Sequence, residues 1–167
     1  MPLSMYQASV PVFTRMFANL SAILTKAEAH AKAKKIEPAV FINARLAPDM
    51  YPLSRQIQIA SDSAKGCAAR LAGVEVPSFP DTETTLAELQ ARIKKTVDFI
   101  KTCQPKQIDG TEEKPIHLKM GDWEAKFKGQ DYLLNFVLPN FYFHITTAYA
   151  ILRHNGVEIG KGDFMGK

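Results

Sequence analysis

A chain of 167 residues is long enough for one domain with a substantial core and short for two, so a single domain over residues 1–167 is expected. Its 46% hydrophobic and 23% charged residues are ordinary for a soluble globular protein, and no apolar run approaches the roughly 18 uncharged residues of a membrane span. The net charge of +4 admits an acidic partner, but there is no zinc-finger or RNA-binding signature and no aromatic residues interleave with the densest basic cluster, Lys26, Lys32, Lys34 and Lys35, so nucleic acid is not expected as that partner.

The opening segment, MPLSMYQASV, has neither the basic start nor the apolar core of a signal peptide, which points to a cytoplasmic protein. Tyr6, Val10, Phe13, Phe17, Leu20, Leu24 and Ala27 recur at steps of four and three, predicting an amphipathic helix from residue 2 to about residue 34. Pro11 marks either a local kink or a later true start. Lys26, Lys32, Lys34 and Lys35 gather at the helix end, where cations favour its dipole. A helical turn is expected over residues 38–44, where Val40, Phe41 and Ile42 need cover.

Asp49 can cap a second helix, whose buried face of Leu53, Ile57, Ala60, Ala64, Cys67, Ala68 and Leu71 runs to a stop at Gly73. Cys67 and Cys103 show no metal or redox spacing and are expected as two free thiols. Residues 74–81, VEVPSFPD, contain two prolines and read as an extended connection that can reach roughly 27 Å. A third helix is predicted from Thr82 to about Thr102, with Leu86, Leu89, Ile93, Val97 and Ile100 on its seam.

The period then changes. Ile116, Leu118 and Met120 alternate with polar residues, as do Trp123, Ala125 and Phe127, and Gly121-Asp122 suits a two-residue turn, so a β-hairpin is expected over about residues 115–128. The fourth helix follows over residues 129–156, with Pro139 as a kink and Gly156 as its stop. The tail, residues 157–167, reads as a loop and does not match a phosphate-binding glycine loop.

The fourth helix carries the best candidate for chemistry. Its large apolar residues, Leu133, Leu134, Val137, Phe141, Ile145, Ala148, Ile151 and Leu152, centre on one direction, and His144 lies within roughly 40° of it. Asn140 and Thr147 flank His144 as a polar ladder along one edge of that face. On helix two, Gln56 is the polar residue nearest the buried face, while Gln58 and Asp62 point farther away. These residues define a candidate ligand pocket of His144, Gln56, Asn140 and Thr147, with Tyr6 at the same end of the molecule; no catalytic residue can be named. The competing reading is a core histidine bonded to Gln56, Asn140 or a backbone carbonyl. Asp62, Lys65 and Arg55 read as a solvated charged strip on helix two. Ile59 beside them suggests that this second face is covered by a loop or a subunit, and a homodimer would supply that cover.

Two segments, MYPLSRQIQIASDSAKG on helix two and LPNFYFHITTAYAILRHNGV on helix four, together with the order of the elements, resemble an uncharacterised family, a domain of unknown function, within the DinB/YfiT-like superfamily. The resemblance covers nearly the whole chain. It implies an all-α fold, an up-down-down-up four-helix bundle with the hairpin inserted between helices three and four, and often a dimer. Many members of the superfamily hold a divalent metal with three histidines, one from helix two and two from a later helix, and some are thiol-dependent transferases.

This chain departs from that pattern. The positions four residues before and after His144 are Asn140 and Ala148, helix two has no histidine, and His30 and His117 lie outside the matching segments. His154, ten residues beyond His144 in sequence, is about 15 Å away along a straight helix. His144 is thus the one inherited ligand if zinc or nickel is bound. The expectation is a DinB-like protein that binds a small ligand beside His144, its three-histidine site degraded. The alternatives are a dimeric scaffold with a structural histidine, or a divalent-metal thiol transferase in which His144, Gln56 and a carboxylate converge.

Overall fold

The computed structural model describes residues 2–167. Helix α1 is Val10–Lys34, eight residues shorter at its start than the periodicity predicted. Pro11 sits in its first turn, where a missing N–H breaks no intrahelical bond, and the Ser9 hydroxyl donates to the Met5 carbonyl at 2.7 Å in the preceding turn. Of the two readings of Pro11, the later start holds. The helix ends on a left-handed Lys35, with Lys32 and Lys34 in its last turn. The short α2, Ala39–Ile42, buries Phe41 and Ile42 but leaves Val40 exposed.

Helix α3 is Leu53–Ala72, and Pro52, not Asp49, precedes it. No side chain caps its start; the Leu53 N–H instead donates to the Ala44 carbonyl at 2.9 Å, so the segment after α2 does the work expected of Asp49. Gly73 ends α3 in the left-handed region, at φ 73°. Helix α4, Leu86–Ile100, begins later than Thr82 because Thr85 and Glu88 form a reciprocal capping box. A one-turn helix that the sequence did not announce, α5, Pro105–Ile108, follows.

The hairpin appears where the alternation placed it: β1, Pro115–Met120, pairs antiparallel with β2, Trp123–Lys128, in the register Ile116 to Phe127 and Met120 to Trp123. Two contacts fix it to the helices. Lys114 Nζ donates to the Arg70 and Leu71 carbonyls at the end of α3, at 2.8 and 3.0 Å. Gly129, immediately after β2, lies so close to the Thr111 carbonyl oxygen that any Cβ there would overlap it.

The fourth long helix is not uniform. It comprises α6, Gly129–Asp131, a π-helical segment, Tyr132–Val137, and α7, Leu138–His154. Pro139 cannot donate to the carbonyl four residues back, and its ring crowds that carbonyl, so the helix widens just upstream of it. The widening shifts the helical phase. Leu134, assigned to the buried face, is exposed, and Tyr132 is buried instead. The tail is also more ordered than a loop: it forms α8, Lys161–Met165, and Lys26 of α1 pairs with Asp163 at 2.5 Å.

The molecule is mostly helical with this one small hairpin. Helix α1 packs on α4 and α7, and α3 packs on the same two helices from the other side. Phe13, Phe17, Ile57, Phe141 and Ile145 fill the space between them. The small residues Ala60, Ala64 and Ala68 let neighbouring helices approach α3 closely.

Candidate functional site

His144 of α7 meets Gln56 of α3 in the interior, with Nδ1 and Oε1 2.6 Å apart. The Gln56 amide nitrogen donates to the Tyr51 carbonyl at 3.0 Å, which leaves Oε1 to accept from a protonated Nδ1. The predicted ladder does not close on itself. Asn140 Nδ2 donates to Ser63 Oγ at 2.7 Å, and the Thr147 hydroxyl bonds back to the Phe143 carbonyl at 2.7 Å. Tyr6 is half-buried against the core, its backbone N–H held by the Asp109 carboxylate at 2.8 Å. The structure thus joins His144 to Gln56 and gives Asn140, Thr147 and Tyr6 other partners.

Burial, reinforced by the Arg55 guanidinium, pushes the His144 imidazole down from 6.5 to about 4, so it is neutral at pH 7. The unfolded chain regains the ordinary value of about 6.5. Below that pH the unfolded state takes up a proton that the folded state refuses until about 4, so stability falls as the solution is acidified through this window. The total loss is roughly 3 kcal/mol. Urea denaturation between about pH 7.5 and 4.5 is expected to show this slope in the wild type and to show less of it in His144→Gln. Parallel curves would contradict the assignment.

The strip read as solvated is covered at Lys65, while Arg55 and Asp62 stay partly exposed. Lys65 is 4% exposed and Arg92 of α4 is 3% exposed, and Asp62 accepts from both, at 2.9 and 3.0 Å. Phe79, from the connection between α3 and α4, has the ammonium groups of Lys65 and Lys95 each 4.1 Å from its ring centre. The connection therefore lies over this face of α3. Gln58, which helical phase alone turned away from the buried face, is also buried and donates to Glu83 at 2.9 Å.

A cavity of about 360 Å³ lies between α3, the hairpin and the fourth long helix, and neither His144 nor Gln56 lines it. Helix α3 contributes Arg55, Ile59, Ser63 and Arg70, β1 contributes Leu118 and Met120, the π-helical segment contributes Tyr132, Phe136 and Val137, and α7 contributes Asn140. Of the five residues predicted for the pocket, only Asn140 lines it. Ile59, whose position suggested a covering loop or subunit, faces this space and is half-buried within the chain itself. On the wall, Arg70 Nη1 donates to the Tyr132 hydroxyl at 3.0 Å. Burial, with Cys67 nearby, raises the Tyr132 phenol to about 12, Arg70 opposing the shift, so the hydroxyl stays neutral. Arg70, Tyr132 and Phe136 escaped the sequence reading because they meet only through the π-helical widening and the fold of the hairpin. Pro139 and the mid-helix Gly66 were the signals available.

A family model described as a domain of unknown function, DUF1993, matches residues 5–165. The chain belongs to the DUF1993 family. Among solved structures, it is similar to the crystal structure of a DinB family member protein from Shewanella denitrificans, with 42% identity and a TM-score of 0.89 over 97% of this chain and 92% of that one. No curated protein matches. The similarity supports an uncharacterised family of DinB type.

In this DUF1993 protein the donors around His144 do not fit a three-histidine metal site. Its Nδ1 is engaged by an amide oxygen, and the positions four residues to either side are Asn140 and Ala148. Gln56 and Asn140 present neutral amides, which are poor ligands for zinc or nickel. Among the described residues, no three His, Cys, Asp or Glu side chains converge as a metal site.

Proposed function

We propose that this DUF1993 protein binds a small molecule in the cavity between α3, the hairpin and the π-helical segment, without the superfamily's metal. We further propose that its four long helices form the up-down-down-up bundle, a topology supported by the packing of α1 and α3 against both α4 and α7. The observation that carries the functional reading is the cavity. Its volume of about 360 Å³ lies within the range of small-molecule sites, roughly 300–1,000 Å³. Its walls combine apolar side chains with a few polar groups able to orient a ligand. Two other depressions, of about 290 and 230 Å³, are smaller and more open to solvent. The neutral His144, tied to Gln56, does not line the cavity and has no catalytic role in this reading.

Thermal-shift screening of a small-molecule library tests this reading, with Ile59→Trp as the control whose indole occupies the cavity. A ligand at a hundred times its Kd stabilises the folded state by about 2.7 kcal/mol. Compounds are expected to raise the wild-type Tm by several degrees and to lose most of that effect on Ile59→Trp. A library without hits, or hits indifferent to the substitution, would contradict the proposal.

A further inference from the structure

The polar wall of the cavity is unbalanced. Arg70 is half-buried, and no carboxylate among the described residues pairs with it, whereas the other arginine of the cavity, Arg55, is paired with Asp81. Asp62, the acidic residue lining the space, is already shared by Lys65 and Arg92. The Tyr132 oxygen accepts from Arg70, and its own hydrogen finds no acceptor among the described residues. Ser63 likewise accepts from Asn140 and has no acceptor for its hydroxyl hydrogen. A partly buried guanidinium with an adjoining unspent hydroxyl donor calls for an anion.

The helix is built to hold that guanidinium in place. Gly66 interrupts α3, where glycine is a poor helix former, and it needs no left-handed backbone that would justify it. A Cβ at Gly66 would overlap Nη1 of Arg70, and the three atoms nearest to it all belong to the Arg70 guanidinium. The glycine therefore lets Arg70, one turn later, fold back over the helix and reach Tyr132. Leu118, Met120 and Phe136 supply an apolar stretch of wall facing the same space. One planar fork and one neutral hydroxyl suit a single carboxylate; the unpaired cation that also lines the cavity, Lys119 of β1, is exposed, so water screens its charge and the half-buried polar end carries one positive charge rather than the two a phosphate dianion would need.

We infer that the cavity selects a small amphipathic carboxylate, its head group held by Arg70 and Tyr132 and its apolar body lying against Leu118, Met120 and Phe136. This inference rests on the cavity being the ligand site, as proposed above.

Titration calorimetry with butyrate, octanoate and phenylacetate, each against its own carboxamide at fixed ionic strength and pH 7, separates charge from body. At least one acid is expected to bind the wild-type protein about tenfold or more tightly than its amide. Arg70→Gln is expected to abolish that preference. Gly66→Ala keeps the arginine but displaces its guanidinium, so it too is expected to lose the preference while its Tm stays level or rises. Acid and amide binding alike, or a preference retained in both variants, would overturn the inference and leave the cavity as a ligand site. Binding of none of these acids would also overturn it, while the cavity reading would fall only if the library screen found nothing or its hits ignored Ile59→Trp.

Discussion

Phe141→Ala is expected to destabilise the protein by about 4 kcal/mol, near the middle of the range for truncating a buried phenylalanine. The ring is fully buried where α7 meets α1, edge-on to Phe13 and Phe17 with centroids 4.9 and 5.3 Å away. Removing it loses the transfer free energy of the ring, the aromatic pairing with two neighbours, and the packing of the atoms left around the hole. Helices fixed by their caps and by the surrounding core can close such a gap only in part. For a chain of this size the change corresponds to a fall in Tm of roughly 8–16 °C. Urea denaturation is expected to show a lower midpoint with an unchanged slope. A loss under about 1 kcal/mol would mean that Phe141 is not a central contact between the two helices.

Arg92→Met is expected to cost about 3 kcal/mol, because the guanidinium is the common partner of three carboxylates. Asp62, Asp81 and Glu83 each lie 3.0 Å from it, and it also donates to the Pro80 carbonyl at 3.1 Å. Its side chain is 1% exposed, so water cannot replace it as a partner. Methionine would fill the volume and leave three acidic groups facing each other, with the connection between α3 and α4 released from its anchor. The two aspartates retain some solvent, which places the effect at the lower end for broken buried pairs. Lys94→Met is the control. Lys94 pairs with Asp98 one turn away on the exposed face of α4, and its loss is expected to stay within about 0.5 kcal/mol. Equal effects of the two substitutions in urea denaturation would remove Arg92 from the role given to it.

What could be read from the sequence was local and periodic. The seams of α1, α3 and α4 and the alternation of the hairpin depend on residues within one element, and the register of Ile116 with Phe127 follows from the Gly121-Asp122 turn. His144 and Gln56 could be brought together because each lay near the buried face of its own helix. The misses arise where one segment changes the meaning of another. Pro139 widens the helix before it, which turns Tyr132 inward and Leu134 outward. Phe79 and Arg92, from other segments, bury Lys65 and engage Asp62, so the strip is partly covered. The cavity was the hardest to foresee, since its walls come from four stretches and its polar wall depends on the missing side chain of Gly66. Arg92 carried a readable clue, lying beside Ile93 and one turn from Leu89 on the buried side of its helix.

The most direct test of the ligand-binding account is a methyl NMR spectrum of protein labelled at Ile, Leu, Met and Val, recorded with and without the compound that gives the largest thermal shift. Perturbations are expected to concentrate at Ile59, Leu118, Met120 and Val137, with Leu20 and Leu24 in the core of α1 unmoved. Perturbations at Ile93 and Val97, in the shallow groove between α1 and α4, with the cavity methyls unchanged, would contradict it.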